Sequence, residues 1–207
     1  PIDISAVVVC CHGGPGEDGS LQAMFDLAGI SYTGPTQRGA AIGMDKLAFS
    51  GTMETAGIPS LPLHLVTDDL TLEEPGPFII KPRFGGSSIG IEVVEDLATA
   101  KALVKTQPLL RSGAVAQRYL SDAVDLNISV RTYPNTTLSA VERPLRPEDG
   151  GIYSYADKYL TGPEGMASAP RELPADLPPN IEGELRTIAD QVVQLVMVRS
   201  VARIDFL

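Results

Sequence analysis

The stretch His12-Gly13-Gly14-Pro15-Gly16-Glu17-Asp18-Gly19 directly follows the apolar run Ala6–Cys11. The run predicts a fully buried strand, which opens into a glycine-rich turn with two carboxylates and one of the two histidines. Glycine permits positive φ angles and close approach of a ligand, while histidine and carboxylates supply charge and proton-transfer capacity. Such residues at the carboxyl end of a strand predict a binding crevice in an open α/β sheet. The alternative is a glycine turn that only caps the next helix through Asp18 or Ser20.

The composition predicts a soluble globular protein. The chain has 207 residues, 43% of them hydrophobic and 20% charged, which suffices for one large domain or two small ones. Its formal charge of −10 argues against a nucleic-acid partner, because nucleic acid requires a basic surface. No apolar run is long enough to span a membrane, and the first residues do not form a signal peptide. The adjacent Cys10 and Cys11 would point to opposite faces of a strand, which argues against a disulfide and favours a reducing, cytoplasmic location.

The order of predicted elements divides the chain into three regions. Residues 1–37 contain the strand Ala6–Cys11, a helix over Leu21–Leu27 that ends at Gly29, and a short extended piece over Ile30–Gly34. A strand–helix–strand unit of this size cannot bury both faces of its sheet alone. We therefore expect it to be the tail of a larger α/β domain.

Residues 38–116 and 117–207 each predict a mixture of helices and strands. The first region predicts the helix Asp45–Ala56, an extended Ser60–Val66, the strands Phe78–Ile80 and Ile91–Val94, and a helix over Leu97–Thr106 capped by Asp96. The second predicts a strand over Leu126–Arg131 with one wet face, its partner Leu138–Val141, a long loop over Pro144–Pro179, a helix capped by Asn180, and a last strand Ser200–Leu207. A loop of that length is typical of a lid or a binding loop.

Lys81, at the end of a strand and before a loop of glycine and serine, predicts a phosphate site. Backbone N–H groups at Gly86, Ser87 and Ser88 can point at phosphate oxygens, and Lys81 adds a point charge. The pattern is not a Walker loop, because no Gly-Lys-Ser/Thr opens a helix. The alternative is a simple hairpin with a surface lysine.

Arg203 and Asp205 lie two residues apart in the last strand and therefore on one face of it. They can form a self-satisfied ion pair. In the functional interpretation, Asp205 is an oxygen ligand of Mg²⁺ and Arg203 stabilises developing negative charge. Lys46, in the first turn of its helix, and Lys158, in the long loop, are further candidate phosphate ligands, although a solvated lysine is the common case.

Together these blocks resemble the D-alanine–D-alanine ligases of the ATP-grasp superfamily, from about Asp3 to Leu207. The resemblance rests on His12–Gly19, Gly29–Gly34, Met44–Lys46, Lys81-Pro82 with Gly86–Gly90, Tyr155–Tyr159 and Ala202–Phe206. It implies an α/β (α+β) ATP-grasp fold: residues 1–37 are the remnant of an amino-terminal Rossmann-like domain, and residues 38–116 and 117–207 are two α+β units that sandwich ATP. It also implies that both ends of the family's chain, with part of the metal and substrate sites, lie outside this sequence. Glu142 is the other carboxylate that the metal site could use.

The same resemblance assigns roles to individual residues. ATP would be bound by Lys46, Lys81, Gly86, Ser87, Ser88, Gln117, Arg118, Tyr119, Leu120, Asp125 and Lys158, with 117–120 as the hinge beside adenine and Asp125 in place of the ribose-binding glutamate. His12 and Glu17 would face the first D-alanine, Ser87 and Tyr159 would position the amino acids, Arg203 would stabilise the tetrahedral oxyanion, and Asp205 would hold Mg²⁺, or Mn²⁺ in its place.

The implied reaction joins two D-alanines through an acylphosphate formed from ATP, for peptidoglycan precursor synthesis. Gln117 stands where the hinge usually carries glutamate, and Ala156-Asp157 alters the lid motif. Two alternatives therefore stay open: a related ligase that joins other small amino acids, and a truncated nucleotide-binding module without activity. The expected partners are ATP and D-alanine, with no nucleic acid and no membrane, and association into a homodimer is left open.

Overall fold

The computed structural model describes residues 4–145 and 170–207, and within these ranges the chain forms four β-sheets flanked by helices. The elements are β1 (Ala6–Val7), α1 (Ser20–Ala28), β2 (Ser31–Tyr32), α2 (Gln37–Met44), α3 (Lys46–Thr55), β3 (His64–Leu65), β4 (Phe78–Pro82), β5 (Glu92–Val94), α4 (Leu97–Thr106), a 3₁₀ turn (Pro108–Leu110), β6 (Ala114–Arg118), β7 (Leu126–Arg131), β8 (Thr137–Leu138), β9 (Arg143–Pro144), β10 (Arg171–Glu172), α5 (Pro179–Leu195) and β11 (Val201–Phe206). No helix within the described ranges combines the length and apolarity needed to cross a lipid bilayer.

The first strand is shorter and more exposed than its sequence predicts. β1 spans two residues and pairs in parallel with β2. Val8, which directly follows β1, is 73% exposed, and Cys10 and Cys11 are exposed free thiols. The prediction of a fully buried strand over Ala6–Cys11 is therefore wrong in extent and in burial. Among the described residues β2 is the only strand that pairs with β1, and no second layer covers Val8.

A buried side chain joins α1 to the glycine-rich turn before it. The helix begins after Gly19, whose φ is +96°, and it ends at Gly29 as predicted. Gln22, in the first turn of α1, is fully buried, and its Nε2 donates to the Gly16 carbonyl oxygen at 2.7 Å. This hydrogen bond fixes the turn against the helix.

α2 is a helix that the sequence pattern did not predict, because its two glycines lower its helix propensity. Thr36 caps its first turn by accepting a hydrogen bond from the Gly39 N–H at 3.1 Å. A Cβ atom on Gly39 would lie 2.5 Å from the carbonyl oxygen of Val196, so glycine is what allows α2 to pack against the end of α5. The predicted helix Asp45–Ala56 is confirmed as α3, with Asp45 as its N-cap.

A four-stranded antiparallel sheet in the order β3-β6-β4-β5 forms the middle of the chain. On one face, Phe78 and Ile80 of β4 pack against α4. Because side chains alternate along a strand, Ile79 and Lys81 point to the other face, and Gln117 of β6 lies directly opposite Ile79. The predicted strands at β4 and β5 and the predicted helix α4 are confirmed.

A three-stranded antiparallel sheet in the order β11-β7-β8 forms the end of the chain. Its inner face contributes Ile128 and Ile204 to a core shared with α5, and Met53 of α3 belongs to the same core. The predicted strands at β7 and β11 are confirmed. The predicted cap of the last helix is wrong. α5 begins at Pro179, before Asn180, because proline suits the first turn of a helix.

β9 and β10 pair as a short antiparallel ladder, which brings the two ends of the predicted long loop together. Residues 146–169 lie outside the described residues, and with them the predicted site residues Lys158 and Tyr159.

Candidate active site

The two larger sheets and the amino-terminal turn border one cleft of about 1050 Å³. This cleft brings together most of the residues that the sequence singled out. Those that line it are His12, Glu17, Lys81, Gly86, Ser87, Ser88, Gln117, Arg118, Tyr119, Leu120, Asp125, Arg203 and Asp205. Residues that are far apart in the sequence, from His12 to Asp205, therefore line the same cleft.

Lys46 reaches the edge of this cleft from the start of α3. It is not a lining residue, but its Nζ donates to the carbonyl oxygen of Gly85 at 2.7 Å, and Gly85 does line the cleft. Burial is the main cause that lowers the pKa of Lys46 to about 8, and the positive charge of Lys81 lowers it further. Asp45 partly opposes this shift.

Lys81 lies on the cleft-facing side of β4. Its Nζ donates to Gln117 Oε1 at 2.8 Å, so the ammonium is bonded directly to a neutral amide. Burial lowers the pKa of Lys81, and the negative charge of Asp125 partly opposes the shift. Burial therefore disfavours the ammonium form of Lys81 in the cleft wall and of Lys46 at its edge. An anion bound beside them would offset the free-energy cost of burying these charges.

The loop from Gly86 to Gly90 holds two serines in a conformation that L-residues rarely adopt. Ser87 and Ser88 both have a φ of 58°, in the left-handed region, which costs about 1–2 kcal/mol per residue. Such backbone strain tends to concentrate at ligand-binding segments. The two serines form a tight turn that is closed by a hydrogen bond from the Ile89 N–H to the Gly86 carbonyl oxygen at 3.2 Å.

The amino-terminal turn meets this loop across the cleft. His12 Nε2 and Ser87 Oγ are 2.8 Å apart, a hydrogen bond between residues 75 positions apart in sequence. Glu17 lies beside the same histidine, with Oε2 3.8 Å from His12 Nδ1, and it also accepts a hydrogen bond from the Gly13 N–H. The carboxylate and the serine hydroxyl therefore lie on opposite sides of one imidazole ring.

Arg203 and Asp205 form a two-pronged ion pair on the opposite wall. Arg203 Nε and Nη2 donate to Asp205 Oδ1 and Oδ2 at 2.6 and 2.9 Å. Asp205 lies opposite Asn127 in the β11–β7 ladder, and Asn127 lies opposite Glu142 through an isolated bridge. The side-chain amide of Asn127 is oriented so that its nitrogen donates to Asp205 Oδ1 at 3.1 Å. Asp205, Asn127 and Glu142 thus form a row of oxygen-bearing side chains on one face of the sheet.

This row fits a divalent cation only in part. Carboxylate and amide oxygens are the ligands that Mg²⁺ takes, and Mn²⁺ accepts the same donors. However, no three histidine, cysteine, aspartate or glutamate side chains converge on one point in residues 4–145 and 170–207. Arg203 also contacts both carboxylate oxygens of Asp205, so a cation bound to Asp205 would compete with Arg203.

The cleft also contains residues that the sequence analysis did not identify. Arg171 of β10 lines the cleft, with Nη1 3.8 Å from Glu142 Oε2. Alternation along the predicted strand Leu126–Arg131 places Asn127 on the wet face, yet Asn127 is 7% exposed. The sequence around Arg171 does not predict its place in the cleft, because that place depends on the pairing of β9 with β10. Alternation gave no signal for Asn127 either, because Ser129 and Arg131 on the same face of the strand are exposed.

A family model, curated relatives and solved structures all relate this chain to the same family. The family model described as "D-ala D-ala ligase C-terminus" matches residues 53–207. A D-alanine–D-alanine ligase of Corynebacterium aurimucosum is 31% identical over 99% of this chain and 58% of that protein. A crystal structure of D-alanyl-alanine synthetase A from Vibrio cholerae superposes with a TM-score of 0.80 at 25% identity, covering 98% of this chain and 62% of that one.

A D-alanine–D-alanine ligase from Bacillus anthracis, crystallised in complex with ATP, has the same fold at 20% identity, with a TM-score of 0.77 over 98% of this chain and 63% of that one. The chain thus spans less than two thirds of the length of these relatives.

Proposed function

Since this chain belongs to the D-alanine–D-alanine ligase family and has its ATP-grasp fold, we propose that the protein is an ATP-dependent ligase that joins two D-alanines. The product would serve as a precursor of the peptidoglycan cell wall, and the reaction would take place in the cytoplasm. One observation carries the proposal: Lys81 of one sheet and the Arg203–Asp205 pair of another line a single cleft.

The nucleotide would lie between the two larger sheets. Lys46, Lys81 and the N–H groups of the loop Gly86–Ser88 would bind its phosphates, together with Lys158. Adenine would lie along residues 117–120, and Asp125 would contact the ribose. The lowered pKa values of Lys46 and Lys81 support this arrangement, because the negative charge of a triphosphate would stabilise the ammonium form of both.

In the first step, a carboxylate oxygen of one D-alanine attacks the γ-phosphorus of ATP, and the bond to the β,γ-bridging oxygen breaks to release ADP. The lysines neutralise the charge that moves during this transfer. Mg²⁺, or Mn²⁺ in its place, would supply further neutralisation of the phosphates when bound at Asp205. His12 and Glu17 would orient the first D-alanine, because they lie beside the serine loop at the amino-terminal side of the cleft.

In the second step, the amine of the other D-alanine attacks the acylphosphate carbonyl, and phosphate leaves as the amide forms. Arg203 would stabilise the tetrahedral oxyanion from the wall opposite Lys81. Ser87 and Tyr159 would position the two amino acids. Alignment of the amine contributes up to roughly 7–11 kcal/mol in ideal intramolecular cases.

We also propose that the chain comprises three units, residues 1–37, 38–116 and 117–207. ATP and D-alanine are the proposed small-molecule partners, with no role for nucleic acid or a membrane.

Phosphate release tests the proposal directly. The protein in its full natural length should release phosphate from ATP when D-alanine is added, and Lys81→Ala should abolish the release. Lys105→Ala is the matched control, because Lys105 pairs with Asp68 on the exposed surface of α4 and should leave activity unchanged. Release with another amino acid but not with D-alanine would point instead to a related ligase, and ATP binding without release would point to an inactive binding module.

A further inference from the structure

Asp45 lies at the junction of two helices. It ends α2 and is the N-cap of α3, with φ and ψ of −90° and 100° that break the helical path between them. Its carboxylate oxygen Oδ1 accepts hydrogen bonds from the N–H groups of Leu47 and Ala48 at 3.1 and 3.3 Å. The residue that follows it is Lys46, so the cap fixes the start of the helix that carries this lysine.

Arg83 contacts the same carboxylate from the end of β4. Its Nε and Nη2 donate to Asp45 Oδ1 and Oδ2 at 2.8 and 2.6 Å. The Asp45 side chain is 14% exposed, so the pair is largely shielded from solvent on that side. The guanidinium carbon of Arg83 also lies 5.0 Å from the ring centroid of Phe84, a residue that lines the cleft. A two-pronged pair of this kind fixes orientation as well as distance.

Backbone contacts join the same two segments. The Lys46 N–H donates to the Arg83 carbonyl oxygen at 3.1 Å, and the Gly85 N–H donates to Met44 Sδ at 3.2 Å. Lys46 Nζ in turn donates to the Gly85 carbonyl oxygen. Residues 83–85 are therefore held against the α2–α3 junction by main-chain and side-chain contacts together.

Residues 83–85 lead directly into the loop Gly86–Ser88. Because Ser87 and Ser88 have an unfavourable φ, the surrounding structure has to hold the loop in this conformation. From this geometry we propose that the Arg83–Asp45 ion pair is a positioning device that holds Lys46 and the serine loop in place for the phosphates of the nucleotide. The proposal rests on the proposed function for its ligand, and it adds two residues that contact no substrate themselves.

Nucleotide affinity tests the pair. Arg83→Met and Asp45→Asn should each raise the Kd for ATP by about tenfold, the order of loss that follows removal of the partner that orients a metal ligand. Asparagine keeps the helix cap, so Asp45→Asn removes mainly the charge of the pair. The double variant should be no weaker than either single variant, and Arg83→Lys should be intermediate because lysine cannot make the two-pronged contact. The KM for D-alanine should rise as well, because Ser87 of the same loop contacts His12 and is proposed to position the amino acids.

Arg186→Met is the control, because it breaks an ion pair of 2.9 Å to Glu182 on the surface of α5 and should change neither constant. Amide hydrogen exchange of the nucleotide-free protein provides a readout that needs no activity. Exchange at residues 85–90 and in the first turn of α3 should be faster in Arg83→Met than in Arg186→Met.

Unchanged exchange in Arg83→Met, or faster exchange with unchanged ATP affinity, would overturn the proposal. Additive losses in the double variant would overturn it as well. Failure of the unaltered protein to release phosphate with any amino acid would instead contradict the proposed function, while the exchange and affinity measurements would still decide the role of the ion pair.

Discussion

Lys46 and Lys81 lie close enough for the charge of one to lower the pKa of the other. For Lys46 this repulsion adds to burial and brings its pKa to about 8, so the ammonium begins to lose its proton in weakly alkaline solution. A triphosphate beside Lys46 would favour the ammonium form again. Binding should therefore raise the pKa and take up a proton.

We predict that ATP affinity falls as the pH rises through about 8, by up to about tenfold per pH unit for one proton. The reason is that the unliganded protein loses the Lys46 charge in this range, whereas the complex retains it. Calorimetric titration across this pH range, in two buffers of different ionisation enthalpy, measures both the affinity and the proton uptake.

Lys46→Arg is the control for this titration, because arginine keeps its charge over the whole range. In that variant the fall in affinity should be smaller. An identical pH dependence in the unaltered protein and in Lys46→Arg would show that Lys46 is not the group responsible.

At the scale of elements, the cleft depends on short segments that are tied to longer ones. The turn that carries His12 has no regular structure of its own, and it is joined to α1 by the hydrogen bond from Gln22 to the Gly16 carbonyl oxygen. Gln22 is 1% exposed, so its side chain also fills space behind the turn. The helix thereby provides the rigidity that the turn lacks.

Gln22→Ala should lower the free energy of unfolding by about 2 kcal/mol, because it leaves a buried carbonyl without its donor and creates a cavity. Denaturant unfolding measures this change. Gln194→Ala removes a glutamine from the exposed side of α5, where it donates to Asp190, and should change the free energy by no more than about 0.5 kcal/mol. Equal effects of the two substitutions would contradict the structural role of Gln22.

At the scale of the molecule, the two larger sheets are coupled through α3. The helix starts at Lys46 beside the serine loop, and near its other end Met53 is 2% exposed in the core formed by β7, β11 and α5. Packing under the three-stranded sheet therefore helps to determine where Lys46 lies relative to Lys81.

Met53→Ala should destabilise the protein by about 2–5 kcal/mol, the usual range for truncation of a buried methionine. It should also weaken ATP binding, because α3 would lose its anchor. Thermal unfolding and ATP titration measure the two effects. Met24→Ala, at a side chain that is 51% exposed, should alter neither, and a loss of stability in Met53→Ala with unchanged ATP affinity would contradict the coupling.

Much of the secondary structure followed from local patterns. The strands at β4, β7 and β11 and the helices α3 and α4 were predicted because periodicity, caps and glycine stops act within a few residues. Two of the failures depend on contacts between segments that are distant in the sequence. α2 was missed because it contains two glycines, and the requirement for glycine at position 39 is apparent only from its packing against the end of α5. The first strand was predicted as buried, although its surroundings leave Val8 exposed.

The candidate site divides in the same way. Lys81, the serine loop and Asp205 could be singled out from sequence, because charge, glycine content and strand periodicity are visible in a short window. The contacts of His12 with Ser87, Arg83 with Asp45 and Asn127 with Asp205 could not be, because each joins segments that only the packing of helices and sheets brings together. The amino-acid sequence thus determined which charged and hydrogen-bonding groups the site could use. The tertiary structure decided which groups meet, since hydrogen bonds and ion pairs act over a few ångströms whatever the separation along the chain.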